Sequence, residues 1–176
     1  MKLFSNFKRL LVIGFFLSSC HMAIAENDAY MIIDVAGLGA LSGGVEVPGY
    51  VDSFLISEMH HLFTRTSTTA HEPLIITTPF SKGTPKLLQT LDQNLNINPM
   101  EILFTRLDPD SGQLETYYTV KLENAKLVAL EPIMHDNFRP ENTLLPAATR
   151  LRFTYTSITH TWLPGVEVPY TADEAP

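Results

Sequence analysis

Cysteine is almost absent from this sequence, since Cys20 is the only one among 176 residues. A single thiol cannot form an internal disulfide, so the fold must depend on packing, strand pairing or assembly for its stability. Charged residues are also scarce, at 18%, whereas apolar residues make up 45% of the chain. This composition excludes a wholly disordered chain and supplies one hydrophobic core.

Basic residues are few as well, with 12 Lys and Arg against 19 Asp and Glu. Lys2, Lys8 and Arg9 all precede residue 26, so a chain that begins at Glu26 keeps nine basic and 19 acidic residues, a net charge of −10. This charge repels phosphate backbones, and no Lys/Arg-rich stretch overrides it. We therefore expect no nucleic-acid partner.

Motifs for nucleotide binding and nucleophilic catalysis are missing, including G-x-G-x-x-G and G-x-S-x-G. The stretch "DPDSG" lacks the later oxygen ligands of a calcium loop and predicts a turn. His60 and His61 are adjacent and would point to opposite faces of a strand, so with His71 we expect them to be polar surface residues rather than zinc ligands. We expect His135 and His160 to be isolated. The sequence predicts no enzyme, cofactor or metal site.

The first 25 residues have the order of a secretory signal peptide. Three basic residues precede an apolar run over Leu10–Leu17, which is short for a membrane span, and small residues follow. Cleavage after residue 25 would leave about 150 residues, the usual size of one domain.

Three interpretations of this leader remain open. Ala23-Ile24-Ala25 is an A-x-A site, which predicts cleavage after Ala25 by signal peptidase. Leu17-Ser18-Ser19-Cys20 resembles a bacterial lipobox, in which Cys20 would be lipidated and would anchor the chain to a membrane. Translation from Met22 would remove the leader and leave the chain in the cytoplasm.

Beyond the leader, short β-forming segments alternate with Pro- and Gly-rich turns. "AYMIIDV" and a segment from Tyr50 to Phe63 read as strands, and "PLIITTPF" as an exposed or edge strand. "LETYYTVKLE" alternates with a period of two, residues 124–130 continue it, and "LRFTY" closes the core. We expect a mainly β fold: an antiparallel β-barrel or two-sheet sandwich over residues 26–165, with a flexible tail over 166–176.

Two segments depart from the strand pattern. "TPKLLQTLDQN" predicts one short α-helix at about 84–94, with Thr84 as cap and Pro85 in the first turn. "GLGALSGGVEVPGY", hereafter the glycine loop (37–50), is long enough to be functional or mobile. Its turn-forming residues are Gly37, Gly39, Gly43, Gly44, Pro48 and Gly49.

Four ordered stretches carry a family resemblance. "HEPLIITTPFSKGTPKLLQTL" is similar to a strand, turn and "SPxLL" helix opening, and "ETYYTVKLENAKLVAL" to "YYxxxLEDAxI", with Asn124 at the usual aspartate. "IMHDN" and "LRFTYTSITHTW" resemble a "YMHN" loop and an "xFTYRKIxWTH" end. In these stretches the chain resembles Hcp, the tube-forming protein of bacterial type VI secretion.

The resemblance implies a β-barrel subunit that closes into hexameric rings, which stack into a hollow tube. Its partners would be further copies of the chain and, in the machine, a spike protein, a sheath and effector proteins carried in the lumen. The glycine loop would then be a candidate ring-stacking element. Because of the leader, we also consider an exported, periplasmic or lipid-anchored Hcp-like binding module that no longer builds a tube.

Overall fold

The computed structural model describes residues 28–65, 69–136, 138–139, 142, 144–163 and 168–173. Within these residues the chain forms thirteen strands and one helix. In order they are β1 (Ala29–Val35), β2 (Gly39–Ala40), β3 (Phe54–Ile56), β4 (Glu58–His60), β5 (Phe63–Arg65), β6 (Thr69–His71), β7 (Leu74–Pro79), α1 (Thr84–Asp92), β8 (Asn96–Leu107), β9 (Leu114–Glu123), β10 (Ala125–Ile133), β11 (Ala148–Thr154), β12 (Ser157–Trp162) and β13 (Val168–Asp173).

The antiparallel sheet curls so far that the succession of paired strands that begins at β1 ends at β1 again. β1 pairs with β8, β8 with β10, β10 with β11, and β11 with β7. β7 pairs with β4, which follows β3 after Ser57, and β3 pairs with β1. These seven strands form a closed ring, hereafter the barrel, and confirm the expected mainly β fold.

The sheet also extends beyond the barrel through β9, β12 and β13, hereafter the flange. β9 pairs with β8 on one side and with β12 on the other, and β13 adds to the far side of β12. β9 runs into β10 through Asn124, which has a φ of 49°. The Asn124 side-chain amide donates to the Thr156 hydroxyl at 3.0 Å. This hydrogen bond joins the bend between β9 and β10 to the bend between β11 and β12, so the two bends lie side by side.

The core fills the barrel and continues under the helix and part of the flange, and on each strand it takes alternate side chains, which point to one face. On β11, Leu151 and Phe153 are fully buried, whereas Arg152 is exposed, as the sequence predicted. The other fully buried apolar residues include Met31, Ile33, Phe54, Leu74, Ile76, Leu87, Ile97, Met100, Ile102, Val120 and Leu122.

The helix begins at Thr84 and packs against β10 through the buried Leu87. Gly83, not Thr84, occupies the N-cap position, and no side chain caps the helix. A Cβ at Gly83 would overlap the ring of Phe54 and the carbonyl oxygen of Ser42. The predicted Thr84 cap is therefore wrong, because only glycine fits where the helix start presses on Phe54; Thr84 instead accepts a hydrogen bond from the Ser81 amide at 3.1 Å.

Three further expectations need correction. The "PLIITTPF" strand is not at an edge, because β7 has partners on both sides, and four of its six residues are buried. The single strand expected from residue 50 to 63 is split into β3, β4 and the start of β5. Residues 168–173 of the expected flexible tail pair with β12 as β13, since Val168 and Tyr170 belong to a β-forming run; residues 174–176 lie outside the described part.

Candidate assembly surfaces

The glycine loop is held at its base by backbone hydrogen bonds. The Gly43 amide donates to the Asp52 carbonyl at 2.7 Å, and the Asp52 amide donates to the Val45 carbonyl at 2.7 Å. Lys82 Nζ forms an ion pair with Asp52 Oδ1 at 2.7 Å, and Ser42 donates to the same carboxylate. These two hydrogen bonds, that of Lys82 first, hold the pKa of Asp52 below its ordinary value.

The predicted glycine positions fall into two groups. Gly43 is required at the base, because a Cβ there would overlap the Ser53 carbonyl and Phe54. Gly37, Gly39 and Gly49 have positive φ and open space around them, so they permit turns. Gly44 also has positive φ, and Pro48 is exposed beside Gly49. The candidate stacking residues thus combine a fixed base with an exposed outer part.

Tyr50 attaches the end of the loop to the sheet. Its ring stacks on Tyr30 with centroids 4.6 Å apart, and its hydroxyl lies 2.8 Å from Thr116 Oγ1 on β9. Burial, and next the Asp28 carboxylate, raise the pKa of Tyr30 to about 12, so this phenol stays neutral at physiological pH. Val51, directly after Tyr50, is 64% exposed. The loop therefore presents an apolar residue from an anchored segment.

One face of the flange carries a cationic and aromatic group. Arg106 Nε pairs with Glu115 Oε1 at 2.8 Å, and its guanidinium carbon lies 5.4 Å from the Tyr117 ring centroid and 6.0 Å from that of Trp162. Trp162 is 43% exposed. Arginine, tyrosine and tryptophan are the residues that contribute most at protein interfaces. This group is a candidate contact surface.

The β5–β6 hairpin forms a separate two-stranded sheet that meets the flange through histidines and aromatic rings. His61 Nε2 lies 2.8 Å and His71 Nδ1 lies 3.2 Å from the Tyr155 hydroxyl oxygen, and His160 Nδ1 lies 2.8 Å from that of Tyr118. We call these five residues the imidazole cluster. His61, His71 and His160 are therefore not the surface or isolated residues that the sequence suggested, because the hairpin brings distant segments together.

Of the other two described histidines, His60 is exposed and His135 is half-buried. His60 Nε2 pairs with Glu58 at 3.0 Å, and His60 is exposed whereas His61 is half-buried. His135 lies beside Asp136 in the segment after β10, where Asp136 accepts a hydrogen bond from the Phe138 amide at 3.0 Å and pairs with Arg139 at 3.5 Å. Asp136 thus stabilises a turn. Within the described residues, no three metal-ligating side chains are grouped as a metal site would require.

The predicted leader, with Cys20 and Ala25, lies outside the described residues. Across the part of the chain that is described, none of the helical structure has the length and apolarity needed to traverse a bilayer.

The chain is similar to known proteins along most of its length. The model of a family described as "Type VI secretion system effector, Hcp" matches residues 30–162. A curated relative, the "Major exported protein" of Pseudomonas aeruginosa, is 35% identical over 91 residues, or 52% of either chain. The match therefore spans about half the length of that relative.

Solved structures show the same fold. "Secreted protein Hcp3" from Pseudomonas aeruginosa is 26% identical, with a TM-score of 0.69 over 84% of this chain and 99% of that chain. A structure described as "Hcp protein" has a TM-score of 0.77 at 20% identity, over 85% and 99%. Hcp1 from E. coli EAEC 042 has a TM-score of 0.74 at 22% identity, over 83% and 97%.

Proposed function

Because the chain belongs to the Hcp family of type VI secretion proteins, we propose that it is a structural subunit that closes into hexameric rings and stacks them into a hollow tube. The match over residues 30–162 is the observation that carries this proposal, since it includes nearly the whole barrel and β9 and β12 of the flange. The proposed role involves no catalytic step, cofactor or metal.

Two features of the fold support ring closure. Among the described residues β13 pairs with β12 alone, so its outer edge presents backbone groups to another chain. The Arg106, Tyr117 and Trp162 group lies on β8, β9 and β12, and of these strands β12 pairs directly with β13. A contact between two different surfaces of neighbouring copies produces a closed ring when the rotation closes.

For ring stacking we propose the glycine loop, with Gly37, Gly39, Gly43, Gly44, Pro48 and Gly49 as its shaping residues. Its base is fixed by the Lys82–Asp52 ion pair, and Val51 is exposed. A loop that is ordered before it docks loses less conformational entropy on binding than a free one. By the resemblance, a spike protein, a sheath and effector proteins would be the tube's other partners.

Native mass spectrometry and electron microscopy of the protein purified from cells that express the full chain test these steps. We expect hexamers, and stacked rings at high concentration; a strictly monomeric particle would contradict the proposal. Val51→Asp should keep the hexamer and lose stacking, because it places a charge where an apolar contact is proposed. Leu107→Asp, a similar change at the 39% exposed end of β8, is the matched control and should leave stacking intact.

The leader favours a second candidate, an exported or lipid-anchored Hcp-like module in the periplasm or outside the cell. We propose residues 1–25 as its signal peptide, with cleavage after Ala25 or lipidation of Cys20. Intact-mass measurement of the protein made in its cell separates the outcomes. A chain that begins at Glu26 supports cleavage, added lipid mass on Cys20 supports the anchor, and a chain that begins at Met22 leaves only cytoplasmic assembly.

A further inference from the structure

Two buried imidazole nitrogens, His61 Nδ1 and His160 Nε2, have no hydrogen-bond partner among the described residues. The other nitrogen of each ring lies 2.8 Å from a tyrosine hydroxyl. A neutral imidazole has one N–H donor, whereas the protonated ring has two. Protonation would therefore leave His160 with a buried, positively charged N–H group that has no acceptor among the described residues, which is costly. At His61 a hydrogen bond with the Glu72 backbone offsets part of that cost, but burial of the charge outweighs it.

The imidazoles are also close enough to repel one another when charged. The His61 ring centroid lies 6.4 Å from that of His71, and Phe63 lies 4.1 Å from His61 and 5.8 Å from His160. Burial, followed by the charges of His160 and His71, lowers the pKa of His61 from 6.5 to about 4, while the Glu72 backbone acts in the opposite direction. Burial also lowers the pKa of His160.

The surrounding titratable groups supply no compensating carboxylate. Among the described residues, no salt bridge joins a carboxylate to His61, His71 or His160. Glu58 is engaged by His60 at 3.0 Å. The titratable residues on the elements packed around the cluster are Glu58 and His60 of β4, Arg65 of β5, His71 and the adjoining Glu72 of β6, Glu115, Tyr117, Tyr118, Lys121 and Glu123 of β9, Tyr155, His160 of β12, and Tyr170 and Asp173 of β13. Glu115 is engaged by Arg106 at 2.8 Å.

We propose that the β5–β6 hairpin is an acid-sensitive latch, which rests on the flange while His61 and His160 are neutral and detaches when they take up protons. The hairpin can move without breaking the barrel, because in the described part of the chain its two strands pair with each other and with no barrel strand. Detachment would separate Phe63 from Tyr118, His160 and Tyr170, with which it lines a cleft of about 350 Å³. The new apolar surface would include Phe63, already 41% exposed.

Amide hydrogen exchange of the full chain at pH 7 and pH 5, corrected for intrinsic exchange, tests the latch. We consider one imidazole whose pKa is lowered while the hairpin is attached and returns to about 6.5 when the hairpin detaches. Because the detached state then binds the proton more tightly, its population should rise by roughly tenfold at pH 5, after allowance for solvent screening. We expect protection of the β5 and β6 amides to fall by about this factor, with protection of β1 and β8 unchanged. Equal protection of β5 and β6 at both pH values would overturn the proposal.

The variant His61→Gln/His160→Gln cannot take up these protons but keeps polar groups near Tyr155 and Tyr118. It should remove the pH-dependent loss of protection, whereas His60→Gln, at the neighbouring surface position, should retain it. Persistence of the loss in the double variant would contradict the latch. If that variant does not fold, NMR titration of the unsubstituted chain decides: His61 should titrate well below pH 6, and titration near 6.5 would overturn the proposal.

Discussion

The barrel and the flange belong to one sheet but are stabilised in different ways. In the barrel, aliphatic and aromatic side chains such as Ile33, Ile102 and Phe153 are completely buried. In the flange, the first half of β9 is only partly buried on both faces, and its contacts are made by Tyr118, Trp162 and His160. The second half of β9 and Ile158 of β12 join the core, since Val120, Leu122 and Ile158 are fully buried. The barrel and this part of the flange therefore depend on apolar packing, whereas the rest of the flange and the hairpin depend on polar and aromatic contacts that solvent and pH can alter.

Phe153→Ala should cause the largest loss of stability. Loss of a fully buried ring from the barrel should lower the free energy of unfolding by about 3–5 kcal/mol, through lost burial and a residual cavity. Urea denaturation followed by circular dichroism measures it. Phe63→Ala, at the 41% exposed hairpin position, is the matched control and should cost far less; equal losses would remove the distinction between the two regions.

Gly83→Ala should follow, with a loss of about 1–3 kcal/mol, because the new methyl group would overlap Phe54 and force the helix start to shift. The comparison is Gly112→Ala in the β8–β9 turn, where no atom lies within 4 Å of the added Cβ and only the positive φ of 66° opposes the change. In thermal unfolding the Tm of Gly83→Ala should be lower than that of Gly112→Ala. The reverse order would show that the helix start can shift to accommodate the methyl group.

Acidification should weaken the flange before the barrel. The pKa of His61 is lowered in the folded chain, so the unfolded chain binds more protons between about pH 6.5 and about 4. Stability is therefore fully present above pH 6.5 and is lost as the pH falls through this window. After allowance for partial exposure, the loss from pH 7 to 5 should be about 1 kcal/mol, measurable as a lower urea midpoint that His61→Gln abolishes and His60→Gln does not.

Tyr50→Phe should have the smallest effect. It removes the hydroxyl near Thr116 but keeps the stacking on Tyr30, so we expect a loss of about 0.5–1.5 kcal/mol. Thr116→Val removes the other partner of the same hydrogen bond. A double-mutant cycle in urea should show coupling between the two changes, and strict additivity would mean that this hydrogen bond does not hold the glycine loop to β9.

Local patterns explain why much of the barrel could be predicted from sequence. The alternation around Leu151 and Phe153 specifies a half-buried strand, and Pro85 with the following leucines specifies a helix start. Closure of the barrel through β3 and β4 could not be predicted, because it depends on three-residue strands that carry little periodic signal. The short hydrophobic segment around Phe54 therefore read as one continuous strand.

The glycine loop was identified correctly as a long irregular segment, whereas the imidazole cluster was missed. His61 and Tyr155 are separated by 94 positions, and their contact depends on a hairpin that folds back onto the flange. Nothing in the residues next to His160 signals Tyr118 as its partner. The cluster residues lie at different places in their elements, with His71 at the end of β6 and Tyr118 and His160 within β9 and β12, so no shared sequence position marks them.

The side-by-side bends at Asn124 and Thr156 have a mechanical consequence. Because β8 turns into β9, β9 continues into β10 and β11 leads into β12, three covalent strand connections join the flange to the barrel. A pull along β12 is shared by six paired positions with β9, loaded together in shear. A force applied along β12 would thus be transmitted from the flange to the barrel without separating them. The β5–β6 hairpin does not lie between these two parts, so its proposed response to pH would not be affected by that force.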